Sequence, residues 1–382
     1  MTSTGSLFES VTGSLMFPLS FVFVLSVVVF FHELGHFLVA RWCGVTVKAF
    51  SIGFGKEIWG FNDKHGTRWR LAWIPLGGYV KFLDDESVAS TPDAEALRNL
   101  TDEQRRGAFH TKPVWQRAAV VAAGPIANFI LAIVIFAAIF TTYGVTTLEP
   151  RIGKVVAGSP AEAAGFKVDD VVLKIQGEEI DDFADLQRIV STNPGRDLEF
   201  VVQRGREITA LVVKPHLQEH EDAISGKITR PVIGIMSSAG AERIHKTVGL
   251  FEAIGLGVER TSGIITGSLG YLSDVVLGRQ SADQLGGPIR IADVSGQVAK
   301  FGFHALLQLI AVISVSVGLI NLFPIPLLDG GHLLFYGIEA VRRKPLSERT
   351  QEIGFRIGLA IVLGLMVFAT LNDLPILKKW LS

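Results

Sequence analysis

The sequence predicts a polytopic α-helical membrane protein of four spans, with a soluble α+β module inserted between the second and third. Three observations lead there. The chain of 382 residues is 48% hydrophobic and only 19% charged, with a mean hydropathy of +0.39. Four apolar runs are long enough to cross a bilayer core of about 30 Å, which takes roughly 20 helical residues. Between two of them lies a polar stretch in which short strand and helix patterns alternate.

The runs are Phe17 to Trp42, Val114 to Tyr143, Ala305 to Leu328 and Ile353 to Leu371. The second and fourth read as ordinary spans. The first and third carry His, Glu and Asp, and a charged group at bilayer depth costs about 2.5 to 3.5 kcal/mol, so these are functional candidates. No Lys or Arg precedes Arg41, so the positive leader of a cleaved signal peptide is not expected. Net charge is −1, which excludes the basic footprint of a nucleic-acid binder. Cys43 is the single cysteine, too few for an intrachain disulfide or a thiolate metal site.

Positive charge flanking spans marks the cytoplasmic side. Arg41, Lys48, Lys56, Lys64, Arg68, Arg70 and Lys81 follow the first run, Lys112 and Arg117 lead into the second, and Arg342, Arg343, Lys344 and Arg349 follow the third. These regions are expected inside, with both termini and the 144–304 segment outside. Lys378 and Lys379 run against the rule locally.

Ile152 to Val156 alternates like a strand, Ser159-Pro160-Ala161 opens a short helix ending at Gly165, and Asp170 to Ile175 is a second strand. A helix around Phe183 to Val190 and strands at Leu198 to Gln203 and Ile208 to Lys214 complete the module. That order, with GSPAEAAGFKVDDVVLKIQG from Gly158 to Gly177, resembles a bacterial PDZ domain, expected over 148–216 in a single copy. Such a domain takes an extended peptide or chain end by strand addition. The 217–303 stretch reads as an extracytoplasmic linker with a strand and an amphipathic helix. In it Val248 to Leu277 suits an amphipathic helix on the outer membrane surface.

His32-Glu33-Leu34-Gly35-His36 is an H-E-x-x-H pattern at the end of the first run. On a helix, positions i and i+4 share a face, so two imidazoles converge on one metal while Glu33 lies beside it as a general base. A catalytic zinc keeps three protein ligands and one open position. Asp329, beyond the helix-breaking Pro324 and Pro326, is the candidate third, because it falls at the same cytoplasmic depth as His36. His332 reads as supporting or structural, and His304 lies at the outer end of the third run. His65, His110, His216, His220 and His245 have no metal spacing.

HELGH, GPIAN at Gly124 to Asn128, and NLFPIPLLDGGH at Asn321 to His332 together resemble the site-2 protease family. The likeness covers nearly the whole chain and is closest to the bacterial regulator of sigma-E protease group, here with one PDZ domain. GGYVKF at Gly77 to Phe82 resembles that group's membrane-dipping hairpin, about 71–83, and GGPIRIA at Gly286 to Ala292 its stretch before the third span. The resemblance implies one zinc ion on His32, His36 and Asp329, with Glu33 as base. It also implies substrate contacts from Asn128, Asn321 and the hairpin residues Gly78, Tyr79 and Val80. The implied activity is regulated intramembrane proteolysis of single-span proteins, such as trimmed anti-sigma factors or remnant signal peptides, in a bacterial inner membrane. The membrane parts would be 1–143 and 304–382. Two other classes fit parts of the pattern. A metal-ion transporter would also bury His and Asp, and a non-catalytic PDZ adaptor would bind proteins without them.

Overall fold

The computed structural model describes residues 3–84, 101–180, 182–193, 195–222, 226–237, 243–278, 281–282 and 285–381. Four of its helices contain stretches long and apolar enough to cross a membrane, Phe17–Trp42, Val114–Tyr143, Phe303–Asn321 and Arg349–Lys378. They belong to α1 (Ser3–Trp42), α3 (Val114–Tyr143), α8 (Phe303–Asn321) and α10 (Glu348–Leu381). The third was expected to reach Leu328, but it stops at Asn321. Pro324 and Pro326 cannot donate to a preceding turn, so the chain leaves the helix before them. On α10, Ile357, Ile361, Leu365 and Phe368 are exposed, as a helix facing hydrocarbon requires.

The chain divides into two compact units. The first comprises residues 1–138, 253–273 and 282–382. Val24 and Val28 of α1 are fully buried with Leu131 of α3 and Ile310 of α8. A Cβ on Gly35 would lie 2.7 Å from the Ala127 Cβ, so glycine at this point of α1 lets α3 approach closely. After α1, β1 (Val47–Asn62) and β2 (Arg68–Phe82) form an antiparallel hairpin. Its turn is organised by Asp63, which accepts from the His65 and Thr67 backbone N–H groups, Trp69 Nε1 and, at 2.6 Å, Arg41 Nη2. Both strands bend, so that Phe50 has both Val80 and Trp69 beside it. Phe37, Phe50, Val80, Phe82 and Phe109 pack as one core beneath, while Ile58, Trp59, Trp73 and Ile74 stay exposed.

The short α2 (Asp102–Gly107) is closed by a Thr101–Gln104 capping box. α6 (Leu250–Val276) buries Ala253, Gly257 and Thr261, one turn apart. A Cβ on Gly257 would come 2.8 Å from the Ile133 carbonyl oxygen. The helix therefore packs on α3 at Gly257, where the sequence suggested an amphipathic helix on the membrane surface. α7 (Pro288–Ala299) has no side-chain cap of its own. Asp373 of α10 fills that place, accepting from the Gly287 and Arg290 backbone N–H groups at 2.9 and 3.0 Å. α9 (Asp329–Arg342) follows the proline loop.

The second unit comprises residues 139–252 and 274–281. Its four-stranded sheet has the order β6 (Glu178–Glu179), β5 (Val171–Ile175), β7 (Leu198–Arg204), β8 (Glu207–Val213). α4 (Pro160–Ala163), capped by Ser159, and α5 (Phe183–Thr192), capped by Asp182, complete it. These fall where the sequence pattern puts them. Phe166, Val172, Ile175, Leu186, Phe200 and Val202 form the core. The unit continues past 216. After the hairpin β9 (His216–Asp222) and β10 (Gly226–Val232), β11 (Ile235–Ser237) pairs with β4 (Ile152–Val155). Likewise β12 (Arg243–Lys246) pairs with β3 (Val145–Leu148). Strands that the sequence assigned to a linker thus pair with β4 and β3 of this unit.

Candidate metal centre

The HELGH turn lies in the last third of α1, and helical spacing brings both imidazoles onto one face. Nε2 of His32 and Nε2 of His36 are 3.2 Å apart. Oδ2 of Asp329 lies 3.2 Å from the first and 3.5 Å from the second. Among the described residues these three form the donor cluster able to hold a metal ion. Tetrahedral ligands at the zinc bond lengths of about 2.0 to 2.1 Å must stand roughly 3.3 Å apart, and the three separations straddle that value. Asp329 Oδ2 is moreover buried without a hydrogen-bond partner. An anionic oxygen so placed requires a cation, and the donor set of two imidazoles and one carboxylate suits zinc.

The neighbouring elements explain how the three groups meet. A Cβ on Gly124 of α3 would lie 2.9 Å from Cε1 of His32 and 2.5 Å from Cε1 of His36, so only glycine lets the rings sit there. One turn earlier, the Val120 carbonyl accepts Nδ1–H of His36 at 2.9 Å. That bond fixes the proton on Nδ1 and leaves Nε2 as a lone-pair donor. Pro125 cannot donate to Val121 and loosens α3 at this turn. Asp329 is the first residue of α9, and Gly330 and Gly331 pack directly under the carbonyl oxygens of Leu322, Phe323 and Ile325. A side chain at either glycine would push the carboxylate away from the histidines. Leu327 just before it has φ +88°, a conformation costly for a leucine, of the kind that clusters at functional sites.

A cavity of about 220 Å³ opens on the cluster. His32, Glu33, His36, Asp329 and Asn321 line it, with Gly78, Tyr79 and Val80 of β2 on one wall and Tyr336 and His332 on another. Glu33 and Val80 line it together. A Cβ on Gly78 would lie 3.1 Å from Cγ of Glu33, which explains a glycine where the strand crosses α1. His332 stands outside the donor cluster, its ring 5.4 Å from that of Phe355. Asn128 departs from expectation. It was assigned to the substrate, yet it is fully buried, lies away from the cavity wall, and sets its amide 3.2 Å from Nδ1 of His32.

Asp84, after β2, is fully buried and ties the chain there to the segment before α3. It accepts from the backbone N–H groups of Phe109 and His110, both at 2.8 Å, and from Nδ1 of His110 at 2.9 Å. Burial alone would raise its pKa. The bonds from His110 and Phe109 outweigh that and hold the carboxyl below the usual range.

Comparison with known proteins decides the class. The model of peptidase family M50 matches residues 20–365. The chain belongs to peptidase family M50, the site-2 proteases. A relative from Mesorhizobium japonicum, named for zinc metalloprotease activity, is 49% identical over 93% of this chain and 97% of its own length. Metalloprotease MmpA of Caulobacter vibrioides is 42% identical over 95% and 96%. A similarly named relative from Agrobacterium fabrum is 48% identical over 93% and 94%. This M50 peptidase is accordingly a zinc metalloprotease, and its four apolar helices make it a multi-pass membrane protein.

Sequence reading missed several residues that shape the site. Gly124 entered it only as part of a family pattern, although a Gly-Pro pair inside an apolar helix signals a close approach or a kink. Leu327, Tyr336 and the Val120 carbonyl have no sequence signal, because a backbone angle or a carbonyl contact depends on which helix lies opposite.

Proposed function

We propose that the chain hydrolyses transmembrane segments within the bilayer, with zinc held by His32, His36 and Asp329 and Glu33 as general base. The observation that carries this reading is the convergence of those two imidazoles and one carboxylate within 3.5 Å, in a cavity that Glu33 shares. Bound there, zinc supplies Lewis acidity that polarises the scissile carbonyl and acidifies water. The Glu33 carboxylate takes the proton from the attacking water and delivers it to the leaving amide nitrogen.

A transmembrane helix hydrogen-bonds its own amides and resists hydrolysis until unwound. Gly78, Tyr79 and Val80, on the cavity wall, offer an extended segment with which an unwound substrate pairs by strand addition. The exposed Trp59, Trp73, Ile58 and Ile74 suit a hairpin that dips into the cytoplasmic leaflet. Asn321 also lines the cavity, which supports a role for its amide in holding a substrate carbonyl.

The chain fits the regulator of sigma-E protease group in a single-PDZ form. The second unit, with α5 facing β11 across a cavity of about 800 Å³ lined by Phe183, Leu186, Ile235 and Met236, has the groove an extended peptide needs. Substrates in this reading are single-span proteins of the inner membrane already trimmed outside it, anti-sigma factors or remnant signal peptides among them. The termini and the PDZ-like unit lie outside, and the zinc cavity toward the cytoplasm.

The test uses the purified full-length protein in proteoliposomes with a single-span substrate. Glu33→Gln keeps its zinc by elemental analysis and loses cleavage by roughly 10²- to 10⁴-fold. Asp329→Asn loses zinc and cleavage together. Undiminished proteolysis by Glu33→Gln removes the proposed base.

A further inference from the structure

We infer that Asn128 is a positioning residue for His32, whose side-chain oxygen takes the imidazole Nδ1–H and thereby leaves Nε2 free to bind metal. This rests on the zinc reading proposed above for His32.

The two histidines use their second nitrogens differently. His36 gives Nδ1–H to the Val120 carbonyl at 2.9 Å, which leaves its Nε2 unprotonated beside Asp329. His32 meets no backbone carbonyl in the same way. Its Nδ1 faces the Asn128 amide at 3.2 Å. The oxygen and nitrogen of an amide are equal in shape and exchange places by rotation about one bond. With Nδ2 toward His32, the imidazole proton would sit on Nε2, the atom 3.2 Å from Asp329 Oδ2. Asn128 Oδ1 is then buried without a partner. With the amide turned, Oδ1 accepts Nδ1–H and Nε2 presents a lone pair. Only this arrangement gives two imidazoles and a carboxylate that can all ligate at once.

The surroundings hold Asn128 in that place. It is fully buried in α3. Its own carbonyl accepts Ser314 Oγ of α8 at 2.9 Å. One turn on, a Cβ at Gly318 would stand 3.2 Å from the Asn128 Cβ. Helix α8 thus packs against the residue, which is buried and is not among those lining the cavity.

The experiment measures zinc affinity of the detergent-purified full-length protein by competition with a chromophoric chelator, alongside kcat and KM for a single-span substrate. Asn128→Leu, similar in size and without an acceptor, is expected to weaken zinc binding roughly 10- to 100-fold with KM unchanged at saturating zinc. Asn128→Asp, which restores an acceptor, is expected to bind zinc at least as tightly as the wild type. Zinc affinity unchanged in Asn128→Leu, a raised KM with zinc intact, or Asn128→Asp as weak as Asn128→Leu each overturns the assignment. Should Asn128→Leu not accumulate in membranes, Asn128→Ser is read in the same two assays, expected to weaken zinc binding, with unchanged affinity again overturning the assignment. His32→Ala in the same competition separates the two proposals, because retained affinity there means that the zinc reading itself has failed.

Discussion

Gly124 of α3 lies so close to His36 of α1 that a Cβ on it would stand 2.5 Å from the ring's Cε1. Interiors of this density do not absorb a methyl group for nothing. Gly124→Ala is therefore expected to displace the His36 ring, strip zinc from the protein and abolish cleavage. The cost to folding should stay within about 1 to 3 kcal/mol, the usual range for overpacking. Zinc content by elemental analysis, set beside thermal unfolding of zinc-free protein, checks this. Full zinc occupancy in Gly124→Ala would show that the rings accommodate the extra carbon.

The position of Asp329 depends on how α9 is held farther along. Arg117 of α3 meets Glu339 of α9 at 2.6 Å, both largely buried, and lies over the Tyr336 ring at 4.8 Å. Breaking one side of such a pair leaves a buried charge alone and costs about 3 kcal/mol or more. Glu339→Gln is expected to lower thermal stability, and to weaken zinc binding because α9 carries Asp329 at its first turn. Replacing both partners, Arg117→Met with Glu339→Met, should recover most of the stability. A double-mutant cycle on zinc affinity measures the coupling, and additive effects would remove the clamp from the account.

These residues show what the sequence reveals and what it conceals. His32, Glu33 and His36 are legible because a helix fixes their mutual spacing, and Asp329 because few carboxylates fall at the end of an apolar run. Asn128 is not, since a polar residue on a span faces cavity or histidine according to the helix's rotation, which its neighbours set. The third span was read too long because apolar residues continue past the prolines that end the helix. The module between the spans was read too short for a related reason. β11 completes β4 from about 80 residues away, and no local pattern encodes that pairing. Helix α6 was read as a surface helix since only the structure supplies Ile133 opposite Gly257.

In the second unit, Asp170 should set the acid limit of stability. It is fully buried and accepts from Arg204 Nε and Nη2, each at 2.7 Å, and from the Lys167 N–H at 2.8 Å. Burial pushes its pKa up, but the Arg204 bonds and the Lys167 N–H outweigh this and depress it. A depressed folded-state pKa adds stability that is full above the unfolded value, about 3.9. The gain disappears as pH falls toward the folded value. Asp170→Asn should destabilise the unit by roughly 2 kcal/mol at pH 7 and flatten its stability profile between about pH 5 and 3. Hydrogen exchange of β7 amides across that range is the measurement, and a wild-type slope retained in Asp170→Asn would contradict it.

Leu327 offers the last test, because its backbone works against its side chain. At φ +88° a leucine pays for a conformation that glycine adopts freely. It nevertheless stands on the cavity wall, two residues before Asp329. Leu327→Gly relieves the strain, worth about 1 to 3 kcal/mol. It also gives the unfolded chain about 0.5 to 1 kcal/mol of added freedom and removes a wall of the cavity. The balance predicts unchanged or slightly raised thermal stability together with lower kcat, since the loop before Asp329 gains conformations in which the carboxylate misses the histidines. Leu327→Ala keeps the strain and loses the contact, so it should be less stable than Leu327→Gly. An alanine variant more stable than the glycine one would mean that strain at this position has no part in holding the site.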